Sequence, residues 1–247
     1  MRLGIMQPYF FPYLGHFGLI ASVDEWIVFD VTQYTPKTWM NRNRVLHPAE
    51  GWTYVTVPLA NSSISIKTHE ARILDPAAAR KSILGKLSHY RRAARRYDAV
   101  VALVDEAFGD GTDDSLVRLN ARGLRAVCAY LGIPFRFRIC SELGLDLPVD
   151  PGPGGWAPAI CERLGATSYL NPAGGRALFD PAEFTRRGIE LLFAETALFP
   201  YEAGPFTFEP GLSILDVLMW NPPERVAAAL REGTRLTAAG CASQGGE

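Results

Sequence analysis

The chain has 247 residues, 48% of them hydrophobic, and a formal net charge of −1. That length and apolar content suit one sizeable core, and the near-neutral balance excludes broad electrostatic capture of nucleic acid or of an anionic membrane surface. No run approaches the ~20 apolar residues needed to span a bilayer, and the opening segment lacks the apolar stretch and cleavage site of a secretory leader, so the expectation is a soluble cytoplasmic protein. The four cysteines, Cys128, Cys140, Cys161 and Cys241, lack metal-type spacing and read as free thiols.

In chain order, residues 2–6 form a short buried strand, and 7–15 an aromatic loop punctuated by proline. Apolar positions at helical spacing follow in Phe17, Leu19, Ile20 and Val23, and residues 25–30 make a second strand ending in an acid. Strand, glycine turn, helix and strand within about thirty residues is the size of one βαβ unit. Further strands are predicted at 54–59, 71–74, 134–139, 167–170 and 189–193. Helices are predicted at 76–96, 114–131, 156–164 and 181–187, with a last helical region opening at 213–220 behind Ser213 as N-cap. Residues 146–155 hold too many prolines and glycines for regular structure. The alternation argues for an α/β fold, a Rossmann-like, largely parallel sheet flanked by helices with a helical C-terminal part. One domain is expected over residues 1–237, with 238–247 a disordered tail of small residues.

The segment MQPYFFPYLGHFGLI resembles the signature of the WbqC-like family. The resemblance continues through FDVTQY at 29–34 and the Asn41-Arg42-Asn43-Arg44 cluster, and resumes in YLNPAGG at 169–175 and FEPGLSILDVL at 208–218. It implies a bacterial biosynthetic enzyme of surface-polysaccharide or aminoglycoside-like pathways that transfers glycine or another acyl unit onto a sugar. The turn Pro12 to His16 is also similar to the H-x-G-H turn of nucleotidylyltransferases and pantothenate synthetases, with Gly15 giving the backbone close approach and His16 in the second histidine position. Tyr13 stands where the first histidine would be and cannot carry its charge.

The residues themselves suggest roles. The positive end of a helix dipole keeps His16 neutral, able to act as a base or an oxyanion donor. Gln7, Tyr9 and Tyr13 are polar tips on an apolar loop, suited to orient substrate hydroxyls or carbonyls. Asp30 ends a strand, where parallel sheets project side chains into a ligand crevice, or else caps a turn. Asn41 and Asn43 could contact a carbonyl oxygen while Arg42 clamps an acidic donor. Ser141, Asn171, Ser213 and Asp216 are candidate ligand contacts, with capping or turn roles as the plainer readings. No histidine has zinc-type pairing, so no metal site is expected.

These roles make up an amide-forming acyl- or aminoacyltransferase acting on an amino sugar or related small-molecule amine. Its catalytic set would be His16, Asp30, Asn41 and Arg42, with Gln7, Tyr9, Tyr13, Gly15, Asn43, Ser141, Asn171, Ser213 and Asp216 binding substrate. The acyl group would be activated by ATP with magnesium or arrive as a coenzyme A or carrier-protein thioester, which makes an acyl carrier protein a candidate partner. The alternatives are a nucleotidyltransferase and a non-catalytic subunit of a glycan-assembly complex. All of this presumes that His16 and the Asn-Arg-Asn group face one cleft.

Overall fold

The computed structural model describes residues 1–240, so of the expected tail only 238–240 are seen and the rest, with Cys241, lies outside the described residues. Strand β1 (Arg2–Met6) leads through a loop into helix α1 (Leu14–Ile20) and strand β2 (Glu25–Val28). A hairpin of β3 (Arg42–Leu46) and β4 (Trp52–Thr56) follows. Helices α2 (Pro76–Leu87), α3 (Tyr97–Phe108) and α4 (Leu116–Leu131) lead to β5 (Phe137–Ile139). The second half contributes α5 (Trp156–Arg163), β6 (Ser168–Pro172), α6 (Pro181–Thr185), β7 (Glu190–Thr196), α7 (Ile214–Trp220), α8 (Pro223–Gly233) and β8 (Thr234–Ala238).

The main sheet has the order β5-β2-β1-β6-β7-β8. Its first five strands run parallel and β8 pairs antiparallel to β7. The fold is therefore α/β, a mixed, largely parallel sheet with helices on both faces. Strand alternation sends Leu3, Ile5 and Ile27 to the face covered by α5 and α6, and Trp26 and Val28 to the face covered by α1, α4 and the hairpin. Local chemistry sets the helix ends. Asp75 accepts from the Ala78 amide with Pro76 at the first helical position of α2, Ser115 accepts from the Arg118 amide to start α4, and Gly132 closes α4 in the left-handed region at φ 67°. No described helix is long and apolar enough to cross a membrane.

Several expectations differ from the structure. Residues 71–74 make only isolated bridges, Leu59 with Ile73 and Arg72 with Ser115. The helix expected over 76–96 stops at Leu87 and gives way to a tight turn at Ser88–Arg92, after which α3 begins. The Asn-Arg-Asn cluster, given no element by the sequence pattern, enters strand β3 at Arg42: Arg42 and Arg44 are half-exposed while Asn43 and Val45 point inward. Strand β8 has no counterpart in the expected elements, because most of its side chains are exposed and only backbone pairing with β7 defines it; it takes in Ala238, the first residue of the expected tail.

Candidate functional site: an aromatic cleft at the strand switch point

From β1 the chain moves to β2 on one side and returns much later to β6 on the other. Such a reversal opens a crevice beyond the carboxyl ends of the two strands, where open α/β sheets bind ligands. A cavity of about 410 Å³ lies there. Met6, Gln7, Tyr9 and Tyr13 line it from the β1–α1 loop, Asn171, Gly174, Gly175 and Phe179 from the segment after β6, and Phe29, Trp39 and Trp156 from the flanks. No lining residue carries a formal charge. A second cavity, of about 740 Å³, shares Gln7, Phe29, Pro153 and Trp156 with it.

The loop from Gln7 to Tyr13 is held by side chains from distant parts of the sequence. Asn43 Nδ2 donates to the carbonyls of Phe10 and Phe11 at 3.0 and 2.9 Å. Ser213 Oγ donates to the Phe11 carbonyl at 2.7 Å, and the Ile214 amide donates to Pro12 at 2.9 Å. Asn120 Nδ2 donates to the carbonyls of Pro8 and Met40 at 2.7 and 2.8 Å. Phe11 sits at φ 38°, a left-handed conformation that a bulky residue adopts only when its surroundings impose it. The donors from Asn43 and Ser213 supply that constraint.

Asn43 and Ser213 thus build the wall of the cleft and do not line it. The same holds for the rest of the hairpin cluster. Asn41 Nδ2 donates to the Val57 carbonyl at 3.1 Å, and Arg42 lies 4.1 Å over the Tyr54 ring while donating to Lys37 O at 2.7 Å. Arg44 is sandwiched between Trp39 and Trp52, at 5.4 and 4.9 Å from their ring centres. It thereby backs Trp39, which does line the cleft.

His16 does not face the cleft. It is 1% exposed, packed among Tyr9, Phe17 and Trp26, and its Nε2 has no hydrogen-bond partner among the described residues. Burial lowers its pKa to about 3, so it is neutral at physiological pH, as the sequence suggests, but for want of solvent. The single cleft expected for His16 and Arg42 is not formed; His16 reaches the cavity only through the Tyr9 ring, 5.6 Å away between ring centres. Gly15 also works indirectly. A Cβ there would sit 2.6 Å from the Tyr13 ring, so glycine lets that ring lie across the start of α1.

Asp30 and Ser141 come together elsewhere on the same sheet edge. The Ser141 amide and hydroxyl donate to the two carboxylate oxygens of Asp30 at 2.9 and 2.6 Å, beside a polar cavity of about 300 Å³ that His69, Arg72 and Arg118 also line. Burial raises the Asp30 pKa and the Ser141 hydrogen bonds oppose it. Asp216 is internal: it accepts from the Tyr201 hydroxyl at 2.7 Å, from the Leu46 amide at 3.1 Å and from the Tyr90 hydroxyl. Burial raises its carboxyl pKa against those donors. Cys128, Cys140 and Cys161 are buried free thiols.

Of the residues singled out from the sequence, Gln7, Tyr9, Tyr13 and Asn171 gather in the cleft. Burial raises the phenol pKa of Tyr9 and Tyr13, with Tyr13 adding to the effect at Tyr9, so both stay protonated hydrogen-bond donors. Asn171 Oδ1 accepts from the buried Tyr169 hydroxyl at 2.8 Å, which fixes which amide face it presents. Trp156, Phe29, Phe179 and Asn120 were missed. For Asn120 the signal was legible, since it sits in the apolar stripe of α4 and a buried amide needs partners.

A model of the WbqC-like protein family matches residues 7–228. The chain is also 28% identical over 218 residues to the uncharacterized protein Rv1507c of Mycobacterium tuberculosis (strain ATCC 25618 / H37Rv), an overlap of 88% of this chain and 92% of that one. No solved structure matches. The family match begins at Gln7, the first loop residue of the cleft, and reaches past Asn171 and Ser213.

Proposed function

The chain belongs to the WbqC-like protein family, and we propose that it is an amide-forming acyl- or aminoacyltransferase whose acceptor, an amino sugar or related amine, binds in the cavity between β1 and β6. The observation that carries this reading is the character of the lining. Aromatic rings from Trp39, Tyr9, Tyr13 and Trp156 surround two side-chain amides, Gln7 and Asn171, with no formal charge among them. Flat apolar faces pack against a sugar ring while amides and phenols satisfy its hydroxyls, the usual division of labour in small-molecule sites.

Acyl transfer to an amine suits such a surface. The free-base amine attacks a carbonyl and the developing oxyanion needs neutral donors already in place. The protonated phenols of Tyr9 and Tyr13 and the amide N–H groups of Gln7 and Asn171 are such donors. His16 takes no proton in this scheme; it supports the Tyr9 ring from behind. Transfer of a nucleotidyl group is less well served, because clamping transferring phosphoryl groups calls for cations that this lining lacks.

The test is to incubate the purified chain with methyl glucosaminide and either acetyl coenzyme A or glycine with ATP and magnesium, and to weigh the products. An amide on the sugar nitrogen is expected, and release of AMP and pyrophosphate would mark the ATP route. Absence of amide from both mixtures, or a nucleotide appearing on a sugar phosphate supplied instead, would contradict the proposal.

A further inference from the structure

The larger cavity beside the cleft has a different chemistry. Gln7, Phe29, Pro153 and Trp156 line both spaces, so the two cavities adjoin at a waist made by these side chains. Beyond the waist the lining turns polar: Thr32, Gln33, Thr35 and Ser65 supply hydroxyls and an amide, and Lys67 and Asp150 bring one charge of each sign. This wall is built rather than draped. The Thr68 amide donates to Thr32 O at 2.8 Å, the Tyr34 amide to Ile66 O at 2.9 Å, and Gln33 bridges to Lys67 across the same pair of segments.

We propose that this second cavity is the acyl-donor subsite, and that its occupant is a pantetheine-type thioester arm reaching past Trp156 to the amine in the aromatic cleft; this rests on the acyltransferase reading above. A triphosphate would bring several negative charges, and an acyl adenylate one, to a lining whose only two charges cancel. An arm of amides and hydroxyls suits a lining of neutral polar residues such as Gln33, Thr35 and Ser65. At the waist the amine nitrogen forms a C–N bond to the thioester carbonyl and the C–S bond breaks. The departing thiolate takes the proton that the nitrogen gives up, leaving an amide and a free thiol. Gln7, present on both sides, is the donor that meets the carbonyl oxygen.

Calorimetric titration of the full chain tests this. S-acetylpantetheine is expected to bind both with and without saturating methyl glucosaminide. Ser65→Trp, at an exposed position that lines only the second cavity, is expected to weaken it by about tenfold or more. Glucosaminide affinity should not change in this variant. Failure of S-acetylpantetheine to bind, competition between it and glucosaminide, or indifference to Ser65→Trp overturns the donor subsite. ATP binding that exceeds S-acetylpantetheine binding and is abolished by Ser65→Trp overturns the choice of a thioester arm. If S-acetylpantetheine responds to Ser65→Trp while glucosaminide fails to bind, the donor subsite stands and the acceptor reading falls.

Discussion

His16 shows how a residue in a functional-looking motif can act through stability. Its folded pKa of about 3 lies below the ordinary 6.5 because burial disfavours the imidazolium. The unfolded chain therefore binds the extra proton first, and stability falls as pH drops from about 6.5 towards 3. At pH 4.5 the loss from this one group is about 2 to 3 kcal/mol relative to pH 7. His16→Phe fills the same apolar niche without a titrating group or an orphan nitrogen. Urea unfolding at the two pH values should show the variant losing less stability than the parent by that margin. Equal losses would mean that His16 is hydrated and accessible after all.

Gly175 bears on the cleft more directly. A Cβ there would collide with the Asn171 amide nitrogen, whose carbonyl is pinned by Tyr169. Gly175→Ala should displace Asn171, lower the melting temperature because the buried Tyr169 hydroxyl loses its acceptor, and weaken methyl glucosaminide binding by about tenfold. Unchanged affinity in calorimetry would remove Asn171 from the site.

At the scale of elements, the β1–α1 loop gets its shape from partners far off in the chain. Asn43 on β3, Asn120 on α4 and Ser213 at the start of α7 all donate to its carbonyls. Asp216 does similar work one level down, joining α7 to β3 through the Leu46 amide and to the Tyr90 and Tyr201 hydroxyls. Asp216→Asn turns one acceptor oxygen into a donor facing donors and should cost about 2 to 3 kcal/mol, lowering the melting temperature by roughly 5 to 10 °C. Asn43→Ala removes the donor to the Phe10 carbonyl and one of the two donors to the Phe11 carbonyl, leaving Ser213 alone to hold the strained φ of Phe11. It is expected to weaken glucosaminide binding as well as the fold, whereas Asp216→Asn should affect the fold alone. Calorimetry on the two variants below their melting points separates these outcomes.

Across the whole molecule, the parts legible in the sequence were those with local signals. The β1–α1–β2 unit follows from two apolar runs around a glycine turn, and Ser213 does cap its helix, accepting from the Leu215 amide. Gln7, Tyr9, Tyr13 and Asn171 could be marked because polar tips stand out on apolar segments that end parallel strands. What the sequence hid was pairing at long range. Strand β3 is polar because its arginines are half-exposed and stacked on aromatic rings, so no alternation betrays it. The role of Asn43 emerges only when the loop some thirty residues earlier is laid across it. Trp156 enters the cleft from the start of α5, where its sequence position suggests only a helix core residue.

The most direct test of the account is a crystal structure of the chain soaked with methyl glucosaminide. Density for the sugar should lie between β1 and β6, its ring against Trp39 or Tyr13 and its polar groups on Gln7 and Asn171. Density instead in the cavity beside Asp30 and Ser141, with the aromatic cleft empty, would contradict the assignment of the acceptor site.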